Sequence, residues 1–260
     1  MLALELLNQI FESKTVIDEN GNSKALAASV DKSEGEFIRK LIEENKPARS
    51  VEVGCANGIA SLYICSGLSK ISNPHHTIID PNQSTEWSNV GITNLKRAKI
   101  DFFTLMEKPS EIALPELYTK GEKFDFGFID GWHTFDHTLM DFFYIDKMLN
   151  LNGIIVIDDI SFPSINKVMR YILTNYPSYI QIDQVEADYS KNSNNAVKLL
   201  KAIVKLPIRI ALLLVPMRFR HRLFSAKIIK SDKAFKLNSS MVALKKIQPD
   251  TRSWDWYKDF

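Results

Sequence analysis

The chain has 260 residues, of which 45% are apolar and 25% are charged, proportions typical of a soluble globular protein and not of a disordered, fibrous or multi-span membrane chain. Thirty-three Lys and Arg residues against 31 Asp and Glu residues leave a net charge of +2, which gives no reason to expect a nucleic-acid partner. Two cysteines are too few for a disulfide framework, and no apolar run approaches the roughly eighteen residues of a membrane-spanning helix, so we expect a cytoplasmic protein.

The predicted elements begin with an N-terminal helical extension over residues 1–30, because MLALELLNQIFESK has amphipathic spacing and lacks the features of a signal peptide. Beyond it, short β-rich runs alternate with helix-length segments, which predicts an α/β fold with a mostly parallel sheet and helices on both faces. Strands are expected at 50–54, 75–80, 99–105, 123–130, 153–159, 179–185 and 239–247. Helices are expected at 31–47, 57–70, 84–98, 110–120, 134–150 and 164–176. The pattern predicts a single domain over residues 1–260 with a doubly wound, Rossmann-like sheet of seven strands.

A basic insertion over residues 190–236 separates the sixth and seventh predicted strands. It carries twelve basic residues and one acidic residue, and its apolar and basic positions recur at helical spacing, which predicts an amphipathic segment. Such a segment either packs its apolar face on the domain, which is the commonest arrangement, or serves as a lid or homodimer contact. It could also lie peripherally on an anionic membrane surface or receive a phosphorylated or lipid-linked acceptor.

A glycine-containing turn, Glu52–Gly58, follows the first strand of the sheet and precedes a helix. Glycines allow the backbone to approach a ligand, and the helix N-terminus offers unpaired N–H groups. Asp80 ends the next strand, where a carboxylate is suited to accept hydrogen bonds from ribose hydroxyls. Since Ala56 and Ile59 stand where a dinucleotide fingerprint requires glycine, the turn favours adenosine over a pyrophosphate, although a plain tight turn is the simpler alternative. The candidate cofactor residues here are Glu52, Gly54, Ala56, Gly58 and Asp80.

Three further acids stand at the ends of two strands. Asp130 follows one strand, and Asp158 and Asp159 follow the next. Carboxylates that converge at one sheet edge repel one another unless a cation lies between them, and oxygen ligands favour a hard divalent ion such as Mg²⁺. We therefore predict a metal site, with helix capping and solvation of these acids as the alternative.

His133 lies three residues beyond Asp130 and is the candidate catalytic base, because an imidazole can take a proton from a hydroxyl near neutral pH. It could instead orient the substrate. His137 falls on the following helix with Asp136 and Asp141, and a solvated helix face is the better interpretation of that group.

At these residues the chain resembles the class I S-adenosylmethionine-dependent methyltransferases, and more narrowly the branch of catechol-type and metal-dependent macrolide sugar O-methyltransferases. VEVGCANG resembles the family's first motif, with Ala56 in place of its middle glycine. The resemblance implies that Asp80 holds the cofactor ribose, that Ser110 of SEIALPEL lies against the adenine, and that the last strand is antiparallel. It also implies that FIDGWH and VIDDI carry the metal ligands Asp130, Asp158 and Asp159.

The function implied by the resemblance is transfer of a methyl group from S-adenosylmethionine to a hydroxyl of a small molecule or sugar, assisted by Mg²⁺ or another divalent cation. Two alternatives stay open. A nicotinamide-dependent oxidoreductase would share the sheet but leave the acidic cluster unexplained, and a non-catalytic binding protein would use the basic insertion over residues 190–236.

Overall fold

The computed structural model describes residues 2–186, 232–235, 237 and 239–260. Within these ranges the strands are β1 (Thr15–Ile17), β2 (Ser23–Ala25), β3 (Arg49–Val53), β4 (His75–Ile79), β5 (Phe103–Met106), β6 (Phe124–Ile129), β7 (Leu149–Ile157), β8 (Tyr179–Glu186) and β9 (Ser239–Lys246). The α-helices are α1 (Ala3–Ser13), α2 (Lys32–Asn45), α3 (Ile59–Leu68), α4 (Val90–Arg97), α5 (Ser110–Thr119), α6 (Phe135–Met148) and α7 (Pro163–Asn175). A short 3-10 helix covers Asp232–Phe235.

Seven of the described strands form one sheet, in the order β5-β4-β3-β6-β7-β9-β8. The pairs from β5 to β7 are parallel, and β9 runs antiparallel to both β7 and β8. The predicted α/β class and the seven-stranded, mostly parallel sheet with an antiparallel last strand are therefore confirmed. The chain reverses its strand order between β3 and β6, which places a crevice at the carboxyl ends of these strands.

Helices cover both faces of the sheet, and each face has its own apolar core. Alternate residues of β7 show the division: Ile154 and Val156 pack with the core of α1 to α4, whereas Ile155 and Ile157 pack with that of α5 to α7. Because both faces are covered, the central strands are rich in apolar residues, although β3 and β4 also bury Ser50, Glu52 and His76.

The N-terminal extension contains a β-hairpin that the sequence analysis did not predict. Helix α1 buries Leu6, Leu7 and Ile10, in agreement with its amphipathic pattern. After it, β1 and β2 pair antiparallel around a turn in which the Asp18 carboxylate accepts the N–H groups of residues 20 and 22. The Asn-Gly pair at residues 20–21 is the sequence signal for this hairpin.

Helix α4 is much shorter than the helix predicted over residues 84–98. Ser88 and Asn89 have φ angles of 49° and 54°, so the backbone is left-handed there and the helix begins only at Val90. Two consecutive left-handed residues are incompatible with a right-handed helix. The segment before α4 is instead a series of turns that packs on the glycine-containing turn after β3.

The predicted basic insertion over residues 190–236 lies outside the described residues, apart from 232–235. In that short piece Asp232 forms an ion pair with Arg170 of α7, at an N–O distance of 3.1 Å. Among the described helices, none combines the length and apolar character needed to cross a membrane.

Candidate cofactor and metal site

Strand register brings the candidate site residues to one edge of the sheet. Val53, the last residue of β3, is paired with Ile79 of β4 on one side and with Ile129 of β6 on the other. Ile129 is in turn paired with Ile157 of β7. Four neighbouring parallel strands therefore end at the same level, and the residues that follow them directly are Gly54, Asp80, Asp130 and Asp158.

The turn between β3 and α3 needs its small residues. Gly54 has a φ of 87°, and a Cβ there would stand 2.0 Å from the Asp130 carbonyl oxygen. Gly58 has a φ of 74° and caps α3, and its Cβ would meet the Gly91 Cα at 2.7 Å. Ala56 has a φ of 46°, so it adopts the left-handed conformation that favours the glycine found in the related motif. The turn therefore lies directly against both β6 and α4.

Asp80 is buried and organises this turn through its carboxylate. Its Oδ2 atom accepts hydrogen bonds from the backbone N–H groups of Cys55 at 3.1 Å and Ala56 at 2.9 Å. Its Oδ1 atom accepts the Asn82 N–H at 2.9 Å and makes no other hydrogen bond to a described residue. Since a carboxylate oxygen can accept two hydrogen bonds, Oδ1 retains capacity for a hydroxyl group, and the ribose contact of Asp80 stays a prediction.

Gln83 is a component of the site that the sequence analysis missed. Its Nε2 atom donates to the Ala56 carbonyl oxygen and to Asp80 Oδ2, both at 2.9 Å. It thereby ties the turn after β4 to the turn after β3. No local sequence pattern marks Gln83, because its contacts join two turns that are far apart in the chain.

Glu52 lies in a buried polar network and not at the rim of the crevice. Its Oε2 atom accepts the Ser61 hydroxyl at 2.5 Å and lies 2.9 Å from His76 Nε2. The other ring nitrogen of His76 is 2.8 Å from the Ser50 hydroxyl. The network joins β3, β4 and α3 beneath the turn, so a direct cofactor contact of Glu52 stays a prediction.

Ser110 is the first residue of α5 and follows β5 at the same edge of the sheet. Met106, the last residue of β5, is paired with Ile79 of β4. The N-terminus of α5 therefore lies beside the turn after β4, on the side of the crevice where the resemblance expects the adenine.

A cluster of two carboxylates and one imidazole stands beside the glycine-containing turn. His133 Nε2 is 3.2 Å from Asp130 Oδ1 and 3.1 Å from Asp159 Oδ2. Among the described residues, these three offer ligand atoms that all lie within 4.8 Å of one another. Adjacent ligands at about 2.1 Å from an octahedral cation are separated by about 3 Å, so the spacing suits a divalent ion.

This cluster differs from the three aspartates expected as ligands, because His133 approaches the carboxylates and Asp158 does not belong to the group. The buried Asp158 carboxylate accepts the N–H of its neighbour Asp159 at 2.7 Å. Asp159 itself is left-handed, with a φ of 56°. Backbone strain of this kind persists only where the surrounding structure imposes it. Ligation by Asp158 stays a prediction.

The electrostatics of the cluster favour a cation. Burial raises the pKa of Asp130, with Asp159 and Glu52 adding to the rise and His133 opposing it. Burial likewise raises the pKa of Asp158 well above its usual range, and Asp130 contributes. The hydrogen bond to Asp130 raises the pKa of His133. A positive charge, either a proton on the imidazole or a metal ion, relieves this repulsion.

Two aromatic side chains flank the cluster. The His133 ring stacks on Phe162, with the ring centroids 5.2 Å apart, and the Ser164 hydroxyl donates to the His133 carbonyl oxygen at 2.7 Å. Trp132 is 66% exposed. The imidazole is therefore held in place, while an apolar surface beside it remains open.

Asp141 is not on a solvated helix face, and that interpretation of the sequence is wrong. It is fully buried, whereas Asp136 on the same helix is 80% exposed. Burial raises the pKa of Asp141 to about 7, and the nearby Ser110 hydroxyl partly opposes the rise. Asp141 stands one turn after the half-buried His137, and that position carries no clear sequence signal of burial.

Part of the chain matches a known protein family, and its fold matches that of solved structures. Residues 51–160 match the sequence model of a methyltransferase domain family. A search of curated proteins finds no match. An O-methyltransferase from Bacillus cereus in complex with SAH superposes with a TM-score of 0.57 at 18% identity, covering 71% of this chain and 84% of that one.

Two further solved structures have a similar fold. The O-methyltransferase TomG from Streptomyces achromogenes, involved in tomaymycin synthesis and in complex with SAM, gives a TM-score of 0.55 at 15% identity over 71% of this chain and 83% of that one. A putative caffeoyl-CoA O-methyltransferase from Staphylococcus aureus superposes with a TM-score of 0.51 at 17% identity, covering 69% of this chain and 85% of that one. Residues 51–160 thus match a methyltransferase domain family, and the chain shares the fold of O-methyltransferases of known structure.

Proposed function

We propose that the protein transfers a methyl group from S-adenosylmethionine to a hydroxyl of a small molecule or sugar, with a divalent cation held at Asp130, His133 and Asp159. The observation that carries the proposal is the shared level at which β3, β4, β6 and β7 end. It gathers the glycine-containing turn, Asp80 and the acidic cluster around one crevice. A methyl donor and an acceptor held at that crevice would be neighbours.

Several residues of the chain lie where they could bind the cofactor. The turn between Gly54 and Gly58 lies at the carboxyl edge of β3, and α3 begins directly after it, so the first N–H groups of α3 are available to a ligand at that edge. Asp80 offers Oδ1 to a ribose hydroxyl. When bound, S-adenosylmethionine supplies an activated methyl group, and the protein's contribution is to hold donor and acceptor in line.

The donor set of the cluster suits a divalent cation. Two carboxylates from Asp130 and Asp159 match Mg²⁺ or Mn²⁺, and the imidazole of His133 shifts the preference toward Mn²⁺ and other transition metals. When bound, the cation lowers the pKa of an acceptor hydroxyl and orients it. The competing arrangement is a protonated His133 that bridges both carboxylates with no metal, and chelation distinguishes the two.

His133 can act as a base only through its second nitrogen. Where Nε2 donates its proton to Asp130 and Asp159, at 3.2 and 3.1 Å, Nδ1 is left to accept a proton. Where Nε2 binds the cation, Nδ1 carries the ring proton and solvent is the base. Stacking on Phe162 fixes the ring plane and therefore the direction in which Nδ1 points. Whether His133 accepts the proton or only orients the two carboxylates is resolved by His133→Asn, which retains hydrogen bonding but cannot take up a proton at neutral pH.

The basic insertion over residues 190–236 is proposed to contact either an anionic membrane surface or a second copy of the chain. Its excess of basic residues carries this part of the proposal. Binding to vesicles that contain phosphatidylserine, and its loss at high salt, would support the membrane contact, whereas a concentration-dependent dimer without vesicle binding would favour the homodimer.

The experiment that tests the proposed function is methyl transfer from tritiated S-adenosylmethionine to a panel of catechols, phenols and sugar nucleotides. We expect transfer to at least one hydroxyl acceptor, loss of transfer in excess EDTA, and recovery with Mn²⁺ or Mg²⁺. Asp159→Asn should abolish transfer, and Asp183→Asn, an exposed acid on β8, should not. Full activity in EDTA would overturn the metal part of the proposal.

A thermal-shift comparison distinguishes the proposed function from the two alternative functions. A ligand that binds only the folded state raises the melting temperature. S-adenosylhomocysteine should raise it and NAD should not. Stabilisation by NAD alone would favour an oxidoreductase, and no stabilisation by any adenosine-containing ligand would favour a non-catalytic binding protein.

A further inference from the structure

The N-terminal β-hairpin is a part of the fold to which the proposed function gives no role. Its strands β1 and β2 form a two-stranded sheet of their own, separate from the seven-stranded sheet. An isolated hairpin has little stability, so this one depends on contacts with the rest of the domain. Those contacts lead to the segment between β4 and α4, which carries Asp80 and Gln83 of the candidate cofactor site.

The hairpin contacts two consecutive residues with an unusual backbone. Ser88 and Asn89 have left-handed φ angles of 49° and 54°, and such angles in residues other than glycine persist where the surroundings impose them. Lys24 Nζ, on β2, donates to the Ser88 hydroxyl at 2.5 Å. The Asn89 side-chain amide donates to Glu19 Oε2 at 2.8 Å, and the Glu19 N–H donates to the Ser88 carbonyl oxygen at 3.4 Å. The hairpin therefore holds both left-handed residues.

Asn89 also connects the hairpin to the cofactor site. Its N–H donates to the Gln83 carbonyl oxygen at 2.5 Å. The Gln83 side-chain amide donates in turn to the Ala56 carbonyl oxygen and to Asp80 Oδ2, both at 2.9 Å. A chain of hydrogen bonds thus runs from Glu19 on the hairpin, through Asn89 and Gln83, to the turns after β3 and β4.

A second connection joins the stretch after the hairpin to the glycine-containing turn. Asn57 is a buried residue of that turn, and its side-chain amide donates to the Ala27 carbonyl oxygen. The Asn57 carbonyl oxygen accepts the side-chain amide of Asn94 on α4 at 2.9 Å. The N-terminal extension therefore contacts both turns of the candidate cofactor site, one through the hairpin and the other through Ala27.

We propose that the β1–β2 hairpin braces the cofactor site by fixing Ser88 and Asn89, and with them Gln83, against the two turns. Glu19 and Lys24 are the positioning residues, because they influence the cofactor through this chain of hydrogen bonds. The proposal rests on the proposed function, since it concerns binding of the cofactor at these turns. Coupling between two sites is reciprocal, so a bound cofactor must also hold the hairpin more firmly in place.

The affinity of hairpin variants for S-adenosylhomocysteine, measured by titration calorimetry, tests the proposal. Lys24→Met keeps the aliphatic stem but removes the donor to Ser88, and Glu19→Ala removes the acceptor for Asn89. We expect each substitution to weaken binding about threefold, since partly exposed contacts contribute modestly. The double variant should bind about tenfold more weakly, which corresponds to about 1.4 kcal/mol.

Two further variants separate bracing from a general effect on the protein. Glu19→Gln retains an oxygen that accepts the Asn89 amide, so its affinity should stay within about 1.5-fold of the unaltered protein. Lys40→Met is the matched control for Lys24→Met, because it removes another partly exposed ammonium group, which pairs with Asp183 on β8 at 3.4 Å. Its affinity should also stay within about 1.5-fold, since it lies outside the chain of contacts.

Hydrogen exchange in the unaltered protein supplies a measurement that needs no variant. Saturating S-adenosylhomocysteine should slow exchange of the amides in residues 15–25 by at least about fivefold more than exchange in β8, at the far edge of the sheet. The difference between the two segments is the relevant quantity, because general stabilisation by the ligand would slow exchange in both.

The results bear separately on the two proposals. Failure of the unaltered protein to bind S-adenosylhomocysteine overturns the proposed function itself. Binding by the unaltered protein, together with an affinity of the double variant within about twofold or an equal loss in Lys40→Met, overturns the bracing role and leaves the proposed function standing. If the double variant does not fold, as judged by circular dichroism, hydrogen exchange decides: equal slowing in the hairpin and in β8 overturns the bracing role.

Discussion

The burial of Asp141 predicts an unusual pH dependence of stability that Asp141→Asn should remove. The pKa of this carboxyl is raised from 3.8 to about 7 in the folded protein. A folded state that holds the proton more tightly than the unfolded state loses stability as the pH rises from the unfolded pKa through the folded pKa. The loss is absent below pH 4, grows between pH 4 and 7, and is complete above about pH 7.

The magnitude follows from the shift of about three pKa units. Each unit corresponds to 1.36 kcal/mol, so the full loss is about 4 kcal/mol, of which about 2–3 kcal/mol falls between pH 5 and pH 8. Asparagine has the same shape but does not ionise. We therefore expect the free energy of unfolding of Asp141→Asn minus that of the unaltered protein to be about 2–3 kcal/mol larger at pH 8 than at pH 5, so the variant becomes relatively more stable as the pH rises.

Urea unfolding followed by circular dichroism at pH 5, 6, 7 and 8 measures this difference. The matched control is Asp136→Asn on the exposed side of the same helix, which should show no such gain at high pH. An Asp141→Asn advantage that is the same at pH 5 and pH 8 would refute the reasoning, because it would mean that the carboxyl does not titrate across that range.

Three further predictions concern the site itself. Gly54→Ala places a Cβ 2.0 Å from the Asp130 carbonyl oxygen, so we expect loss of S-adenosylhomocysteine binding and destabilisation of at least about 3 kcal/mol, measured by calorimetry and urea unfolding. Asp80→Asn weakens the acceptor for the Cys55 and Ala56 N–H groups, and it should reduce the affinity for S-adenosylhomocysteine at least about tenfold. Tight binding of S-adenosylhomocysteine by this variant would exclude Asp80 from the cofactor site. Asp159→Asn should abolish the melting-temperature increase produced by Mn²⁺ but keep the increase produced by S-adenosylhomocysteine. An undiminished melting-temperature increase with Mn²⁺ would exclude the acidic cluster as the metal site.

The architecture could be predicted from the sequence because the central strands are apolar on both faces and alternate with helix-length segments. That pattern is independent of tertiary detail, and it located β3, β6 and α6 to within a few residues. The acids at strand ends followed from the same logic, since the residue after a parallel strand lies at the carboxyl edge whatever its neighbours are.

The remaining features depend on contacts between distant segments. The turns at residues 84–89 replace the start of a predicted helix, and they follow Gln83, whose amide nitrogen contacts Ala56 and Asp80. No local sequence pattern reports such a contact. Asp141 has the sequence context of an exposed acid, and its burial next to Gly131 depends on how α6 packs in the fold. His133 was recognised as chemically important, but its distance from Asp159 depends on the backbone conformation at that residue.

Diffraction from crystals that contain S-adenosylhomocysteine and Mn²⁺, recorded at a wavelength where manganese scatters anomalously, tests the central claim most directly. We predict one manganese peak at about 2.0–2.3 Å from ligand atoms of Asp130, His133 and Asp159, with the adenosine beside Gly54 and its ribose at Asp80. S-adenosylhomocysteine bound in this crevice without manganese at the cluster would contradict the metal site, and S-adenosylhomocysteine bound elsewhere would contradict the account as a whole.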